Sequence, residues 1–202
     1  MPVNISVVYY SATGTVHALA SALAEGAASA GADVRLRRVA ELAPPEAISA
    51  NPAWQKHHDE VASGVEVASL DDLEWADGFA FGTPTRYGAP TAQLKQFIDT
   101  TGGLWFQGKL ADKAVTSFTS AMNAHGGQES TLIGLNNVFY HWGSVIVPLG
   151  YTDDSVFASG GNPYGASWGT GQDGAPPDEP TLAVAEYQGR RLAEVTAKLR
   201  SG

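Results

Sequence analysis

Residues 11–16, Ser-Ala-Thr-Gly-Thr-Val, set three hydroxyls and a glycine between an apolar run and a helical pattern. Hydroxyls together with the free backbone N–H groups of a helix start make an anion cradle that needs no cation, and a phosphate fits it. The same residues also read as small turn residues capping a helix. A Walker A loop would need Lys after its last Gly, where Val16 and His17 stand, and GxGxxG is absent, so triphosphates and dinucleotides are disfavoured as resident ligands. Two more loops carry unusual residues. In 82–90 (GTPTRYGAP), Thr85, Arg86 and Tyr87 can meet a planar ring, with Tyr87 free to stack. In 120–128 (SAMNAHGGQ), backbone donors come without a carboxylate, which suits an electron-rich ring. The 82–90 loop would otherwise be an ordinary Pro/Gly turn.

Composition narrows the chemistry further. There is no Cys among the 202 residues, which excludes disulfides, thiolate catalysis and Cys-based zinc or iron–sulfur sites. Redox chemistry would therefore belong to a bound cofactor. His57, His58, Asp59 and Glu60 include metal-ligating types but lack a partner motif such as HExxH, so the expectation is a solvated loop and no metal. A net charge of −9 argues against grip on nucleic acid or an anionic membrane. No charged leader precedes the first apolar run, and no apolar stretch approaches the roughly 18 residues of a span. The expectation is a cytoplasmic protein with no membrane insertion.

The loops need elements to hold them. Residues 4–10 (NISVVYY) form a near-continuous apolar run, as in a strand buried on both faces of a parallel sheet, and are expected at its centre. Val16, Leu19, Ala20, Leu23 and Ala27 then mark a helical face. Residues 34–39 (VRLRRV) alternate as an edge strand does. Strands follow at 78–81, 114–118 and 145–147. Helices carry Leu94, Phe97 and Ile98, then Leu132, Leu135, Val138 and Phe139, and finally the apolar positions of 181–199. Residues 41–70 read as a long connection with one helical turn, and 150–180 as a long aromatic loop. Strands alternating with helices imply one α/β domain over 1–202: a doubly wound, five-stranded parallel sheet of order 2-1-3-4-5 with helices on both faces. Ligands of such sheets sit at the carboxyl ends of the strands. The first, third and fourth strands would supply the site.

The segments VVYYSATGT, FGTPTRYG, DTTGGLW, HGGQES, GSVIVPLGY and NPYGAS, in that order, together with AEYQGRRLAEV near the end, resemble the WrbA family of flavodoxin-like NAD(P)H:quinone oxidoreductases. The resemblance implies FMN as cofactor, NADH or NADPH as co-substrate, a quinone as acceptor and a homotetramer built as a dimer of dimers. It implies a ping-pong cycle in which hydride passes through flavin N5. By position, the family's phosphate loop falls on Ser11, Ala12, Thr13, Gly14, Thr15 and Val16, and its ring-contacting loop on Pro84, Thr85, Arg86 and Tyr87. The loop after strand four falls on Ser120, Met122, Asn123, Gly126 and Gly127. A histidine near the flavin falls on His141, and a substrate-side tryptophan from another subunit on Trp105. No catalytic side chain is fixed, because the chemistry is centred on the flavin; His141 and Arg86 are the candidates. A packing role for His141, an ion-pairing role for Arg86 and an interface role for Trp105 remain open alternatives.

The chain departs from the family pattern at Thr13, where an aromatic residue facing the nicotinamide is frequent, and at Thr15, where His is frequent. Both bear on nucleotide binding. The alternative from another class is a flavodoxin-type electron carrier that passes single electrons to protein partners. The Trp105 segment and the 150–170 loop, which would enclose a substrate pocket, speak against it.

Overall fold

The computed structural model describes residues 1–201. Five strands lie side by side in the order β2-β1-β3-β4-β5, all parallel: β1 (Asn4–Tyr9), β2 (Asp33–Arg38), β3 (Gly78–Pro84), β4 (Ala114–Ala121) and β5 (Val145–Ile146). β2 is an edge, as its Arg alternation predicts. β1 is flanked on both sides, but the middle place belongs to β3.

Alternating side chains send each interior strand into two cores. Ile5, Val7 and Tyr9 join Phe118 under α1 (Thr15–Ser29), which buries Val16, Leu19 and Leu23 on that face. Val8, Phe79 and Phe81 point the other way. There they meet Leu73 of α4 (Leu70–Trp75), Leu94 of α5 (Ala92–Asp99), Leu104 of α6 (Gly102–Phe106) and Phe139 of α7 (Gln128–Trp142). The last helix, α9 (Glu179–Ser201), lies on α1's side and adds Val184 and Leu192. α1 and α9 touch backbone to backbone. A Cβ on Gly26 would stand 1.9 Å from the Glu186 carbonyl oxygen, and one on Gly189 would stand 1.9 Å from that of Leu23. Among the described residues no helix is long and apolar enough to cross a membrane.

Two long connections are more ordered than their composition suggests. The segment read as a loop with one turn holds α2 (Pro45–Ser49) and α3 (Pro52–Glu60) before α4. Asn51 accepts hydrogen bonds from the Ala53 and Trp54 N–H groups, and Pro52 occupies the first helical position. This Asn-Pro signature outweighs the poor apolar period. His57 and His58 consequently sit on a helix rather than in a solvated loop, and His57 is buried.

The 150–180 segment is the second correction. It contains α8 (Asp154–Ala158) and a sixth strand, β6 (Ser167–Gly169). β5 pairs only with Ala114 and Val115, which leaves the carboxyl half of β4 an open edge; β6 pairs there, Thr119 beside Ser167 through Ala121 beside Gly169. Gln188 of α9 fastens the join. Its side-chain amide donates to Thr116 Oγ1 and the Ser117 carbonyl, and its oxygen accepts from the Ala166 N–H.

Candidate functional site

Three loops meet at the carboxyl edge of the sheet. After β1 the chain turns at Gly14, whose φ of +99° favours glycine, and α1 begins. Among the described residues no side chain caps α1, so its first-turn N–H groups have no intrahelical partner and face the loop. Ser11 Oγ accepts from the Gly14 N–H at 3.1 Å and tightens the turn. α7 starts the same way, after Gly127 at φ +93° and again without a side-chain cap among the described residues. The uncapped start of α1, with no acidic residue in its first turn, adds positive potential at this end of the sheet, whereas Glu129 in the first turn of α7 offsets that of the second helix.

The second and third loops are joined to each other. The Thr85 N–H donates to the Ser120 carbonyl at 2.8 Å, and the Thr119 hydroxyl donates to the Thr83 carbonyl at 2.6 Å. Thr131 of α7 donates to Thr85 Oγ1 at 2.7 Å. The Thr85 hydroxyl is thus committed to α7 rather than aimed at a ring. Gly127 packs on Gly88 so closely that a Cβ on Gly127 would lie 2.7 Å from the Gly88 Cα. Arg86 donates to the Thr85 carbonyl and is otherwise open to solvent, while Tyr87 is fully exposed at the mouth.

Between the loops lies a cleft of about 480 Å³. Ser11, Ala12, Thr13, Thr15 and Val16 line it from the first loop, Pro84, Thr85, Arg86 and Tyr87 from the second, and Ser120, Met122, Asn123 and Gly126 from the third. Gly14 and Gly127 form the turns behind that lining. Its volume falls in the usual range for a cofactor pocket. Among the described residues of its lining no carboxylate occurs, so hydroxyls, amides and one guanidinium face the space. That donor set, together with the uncapped start of α1, fits a phosphate at one end and a polar planar ring at the other.

One lining residue escaped the sequence reading. Thr170 follows β6, and its N–H donates to the carbonyl of Ala121, the last residue of β4, at 2.9 Å. No local signal marks Thr170; it reaches the cleft because β6 pairs with β4.

Two other residues singled out from the sequence stand elsewhere in the chain. His141 lies in the last turn of α7, 13 residues beyond Gln128, which at about 1.5 Å per residue is about 20 Å away from the cleft end. Trp105, on α6 rather than in a glycine loop, donates from its indole N–H to the His141 carbonyl at 2.7 Å. Together they line an apolar groove with Ile98, Val138 and Trp142. A flavin in the cleft of the same chain is out of their reach.

Behind the cleft, Tyr10 donates to Glu41 Oε2 at 2.7 Å, and Gln93 at the start of α5 donates to Oε1. Burial alone would raise the Glu41 pKa. Hydrogen bonds from the Ala43 N–H, Gln93, Tyr10 and the Leu42 N–H hold it below the ordinary carboxylate value instead. This network ties the base of the first loop to the connection after β2 and to α5.

A parallel sheet of order 2-1-3-4-5 with an uncapped, hydroxyl-rich turn after β1 and polar loops after β3 and β4 defines a flavodoxin-like flavin-binding protein. Comparison with known proteins narrows the class. The family model for NADPH-dependent FMN reductase matches residues 6–155, and the chain belongs to that family. A curated relative from Deinococcus radiodurans, NAD(P)H dehydrogenase (quinone), is 48% identical over 198 residues, with 98% of each chain covered. One of the same name from Sinorhizobium fredii is 43% identical, covering 97% of this chain and 98% of its own. Among solved structures, the flavodoxin, WrbA-like protein from Agrobacterium tumefaciens superposes with a TM-score of 0.69 at 26% identity, covering 97% of this chain and 98% of that one. A flavodoxin from the domain Archaea has a TM-score of 0.62 at 18% identity and shares the fold alone.

Proposed function

We propose that the protein is an FMN-dependent NAD(P)H:quinone oxidoreductase, transferring two electrons and a proton from NAD(P)H, with one further proton, to a quinone to give NAD(P)⁺ and hydroquinone. The observation that carries this reading is the carboxylate-free cleft where the uncapped start of α1 meets the loops after β3 and β4. Bound there, FMN would supply a two-electron store between the two substrates.

The chain's own residues then have separate tasks. Ser11, Thr13, Gly14, Thr15 and Val16 would hold the phosphate through hydroxyls and first-turn amides. The loops of Pro84–Tyr87 and Ser120–Gly127 would orient the ring, and their backbone donors together with Arg86 would stabilise negative charge on its pyrimidine side. Tyr87 and Met122, both exposed at the mouth, stand where a flat substrate would stack. Thr13 offers no aromatic face, so a nicotinamide would rest more on Tyr87 than on the phosphate loop.

We further propose that the chain works as a homotetramer in the cytoplasm. Trp105, Phe106 and Tyr140 are large exposed aromatics near the groove of His141. A neighbouring subunit that presented this face to the cleft would bring Trp105 and His141 to the open side of the ring. This would explain why these two residues stand so far from the site on their own chain.

The test is an anaerobic absorbance titration of FMN-reconstituted protein with NADH, followed by benzoquinone. Full bleaching of the flavin band and full recovery on quinone are expected. A flavin that neither NADH nor NADPH bleaches would favour the one-electron carrier.

A further inference from the structure

The phosphate loop contains no cation, yet the layer beneath it holds two imidazoles that no part of the reaction uses. His57 of α3 is buried, and its ring lies directly behind Gly14: a Cβ built on Gly14 would stand 3.4 Å from His57 Nδ1. His17, in the first turn of α1, has its ring centroid 5.6 Å from that of His57, tilted by 51°. Tyr9, at the end of β1, lies hydrogen-bonded to His17 Nδ1 at 2.5 Å. A chain Tyr9–His17–His57 thus runs from the sheet to the underside of the turn that would grip the phosphate.

We propose that His57, supported by His17, is a positioning residue of the phosphate loop and takes up a proton when the FMN phosphate binds, so providing the positive charge the loop itself lacks. This rests on the placement of the phosphate at residues 11–16.

The surroundings favour such coupling. Without a ligand both rings are held neutral: burial lowers the pKa of His17, and burial, His17 and His58 lower that of His57 to about 4. Tyr9 stays a neutral phenol, because burial pushes its pKa up to about 12 against the opposing influence of Arg38. The other charged groups facing the pair are already engaged. Arg38, at the end of β2, donates to the Ala62 and Val65 carbonyls, and Glu41 accepts from Tyr10, Gln93 and two backbone N–H groups. His58, beside His57 on α3, is paired with Asp59 on the outer side. No carboxylate among these is free to neutralise a protonated His57, so an arriving phosphate dianion would be the counter-charge. A cavity of about 20 Å³ beside Ser11, Arg38 and His57 has room for one water to relay the proton.

Linkage sets the sign. If binding raises the His57 pKa from about 4 into the range of about 5.5 to 6, FMN binds more tightly as pH falls below that bound-state value, by up to tenfold per pH unit for one proton taken up. The phosphate's own titration near pH 6 works in the opposite direction and is the same for any variant. The experiment is therefore a set of dissociation constants from flavin fluorescence quenching for FMN and riboflavin, between pH 8 and pH 5, in wild type and His57→Gln. The wild-type advantage over His57→Gln for FMN should grow about three- to tenfold from pH 7 to pH 5, with no such growth for riboflavin. Parallel FMN profiles in the two proteins would overturn the inference. If FMN binds no more tightly than riboflavin at any pH, the placement of the phosphate is itself wrong and the inference goes with it. NMR titration of the wild-type His57 ring protons needs no variant: its midpoint should rise by about 1.5 pH units or more when FMN is added, and an unmoved midpoint would also overturn the proposal.

Discussion

In the proposed phosphate loop, Thr15 and the histidines beneath it are the residues whose chemistry can be tested one at a time. Thr15 is buried at the first position of α1 and lines the cleft, so its hydroxyl is within the site that a ligand would occupy. Thr15→Val keeps the shape and removes one hydrogen bond to a charged group, a loss of about 1.5–3 kcal/mol in binding. FMN affinity measured by fluorescence titration should fall at least about tenfold, while the thermal midpoint of the apo-protein stays in place. The apo-protein should also be acid-sensitive. The pKa values of His17, His57 and Glu41 are all depressed in the folded chain, so the unfolded chain binds more protons as pH drops. For His57 the stability present above the unfolded value near 6.5 is lost between there and about 4; for Glu41 the loss begins lower, in the carboxylate range. Urea midpoints at pH 7.5 and pH 5 should therefore differ, with the lower pH the less stable. Equal midpoints would mean that the imidazoles are already charged in the folded state.

Among the elements, the contact between α1 and α9 carries the most specific requirement. Gly26 and Gly189 each face a carbonyl of the opposite helix at a distance no Cβ tolerates, so the two helices approach through paired glycines. Gly26→Ala or Gly189→Ala must push the helices apart. An overpacked interface of this kind costs about 1–3 kcal/mol or more, which outweighs Ala's better helix propensity of about 1 kcal/mol. Either substitution should lower the thermal midpoint by several degrees, and a raised midpoint would show that the helices separate freely. Since α1 also presents the phosphate loop, weaker FMN binding should accompany the loss. β2 and α4 are fastened differently: Asp72 accepts from Arg35 and Arg37 at 3.1 Å each and from Ser69, so the Arg-rich edge strand is neutralised where it meets its neighbour.

For the whole molecule, the separation between the cleft and the Trp105–His141 groove is the decisive fact. One chain places them at opposite ends of α7, and the proposed tetramer would bring them together. Light scattering should give a mass near four times that of the monomer. Within that assembly Trp105→Ala should leave FMN affinity unchanged and slow quinone turnover. A monomeric mass together with full activity would detach both residues from the reaction.

Much of this was readable along the chain, because it depends on local chemistry. Parallel strands buried on both faces must be continuous apolar runs, and residues 4–10 are one. A ligand loop at a strand end needs glycine and small hydroxyls, and residues 11–16 provide them. Asn51-Pro52 also announced a helix, although the weak apolar period of α3 obscured it. The remaining features arise from contacts distant in sequence. β6 exists because two-residue β5 leaves an edge of β4 exposed, and no property of Ser167–Gly169 alone reveals that vacancy. Thr170 enters the cleft as a consequence. His57 is separated from Gly14 by 43 positions, and its place beneath that turn follows from how α3 brings its ring against Gly14 and against His17 of α1. Periodicity and motif report what a residue can do; which residues share a site depends on packing across the sheet, where neighbours are set by shape and hydrogen bonding rather than by order in the chain.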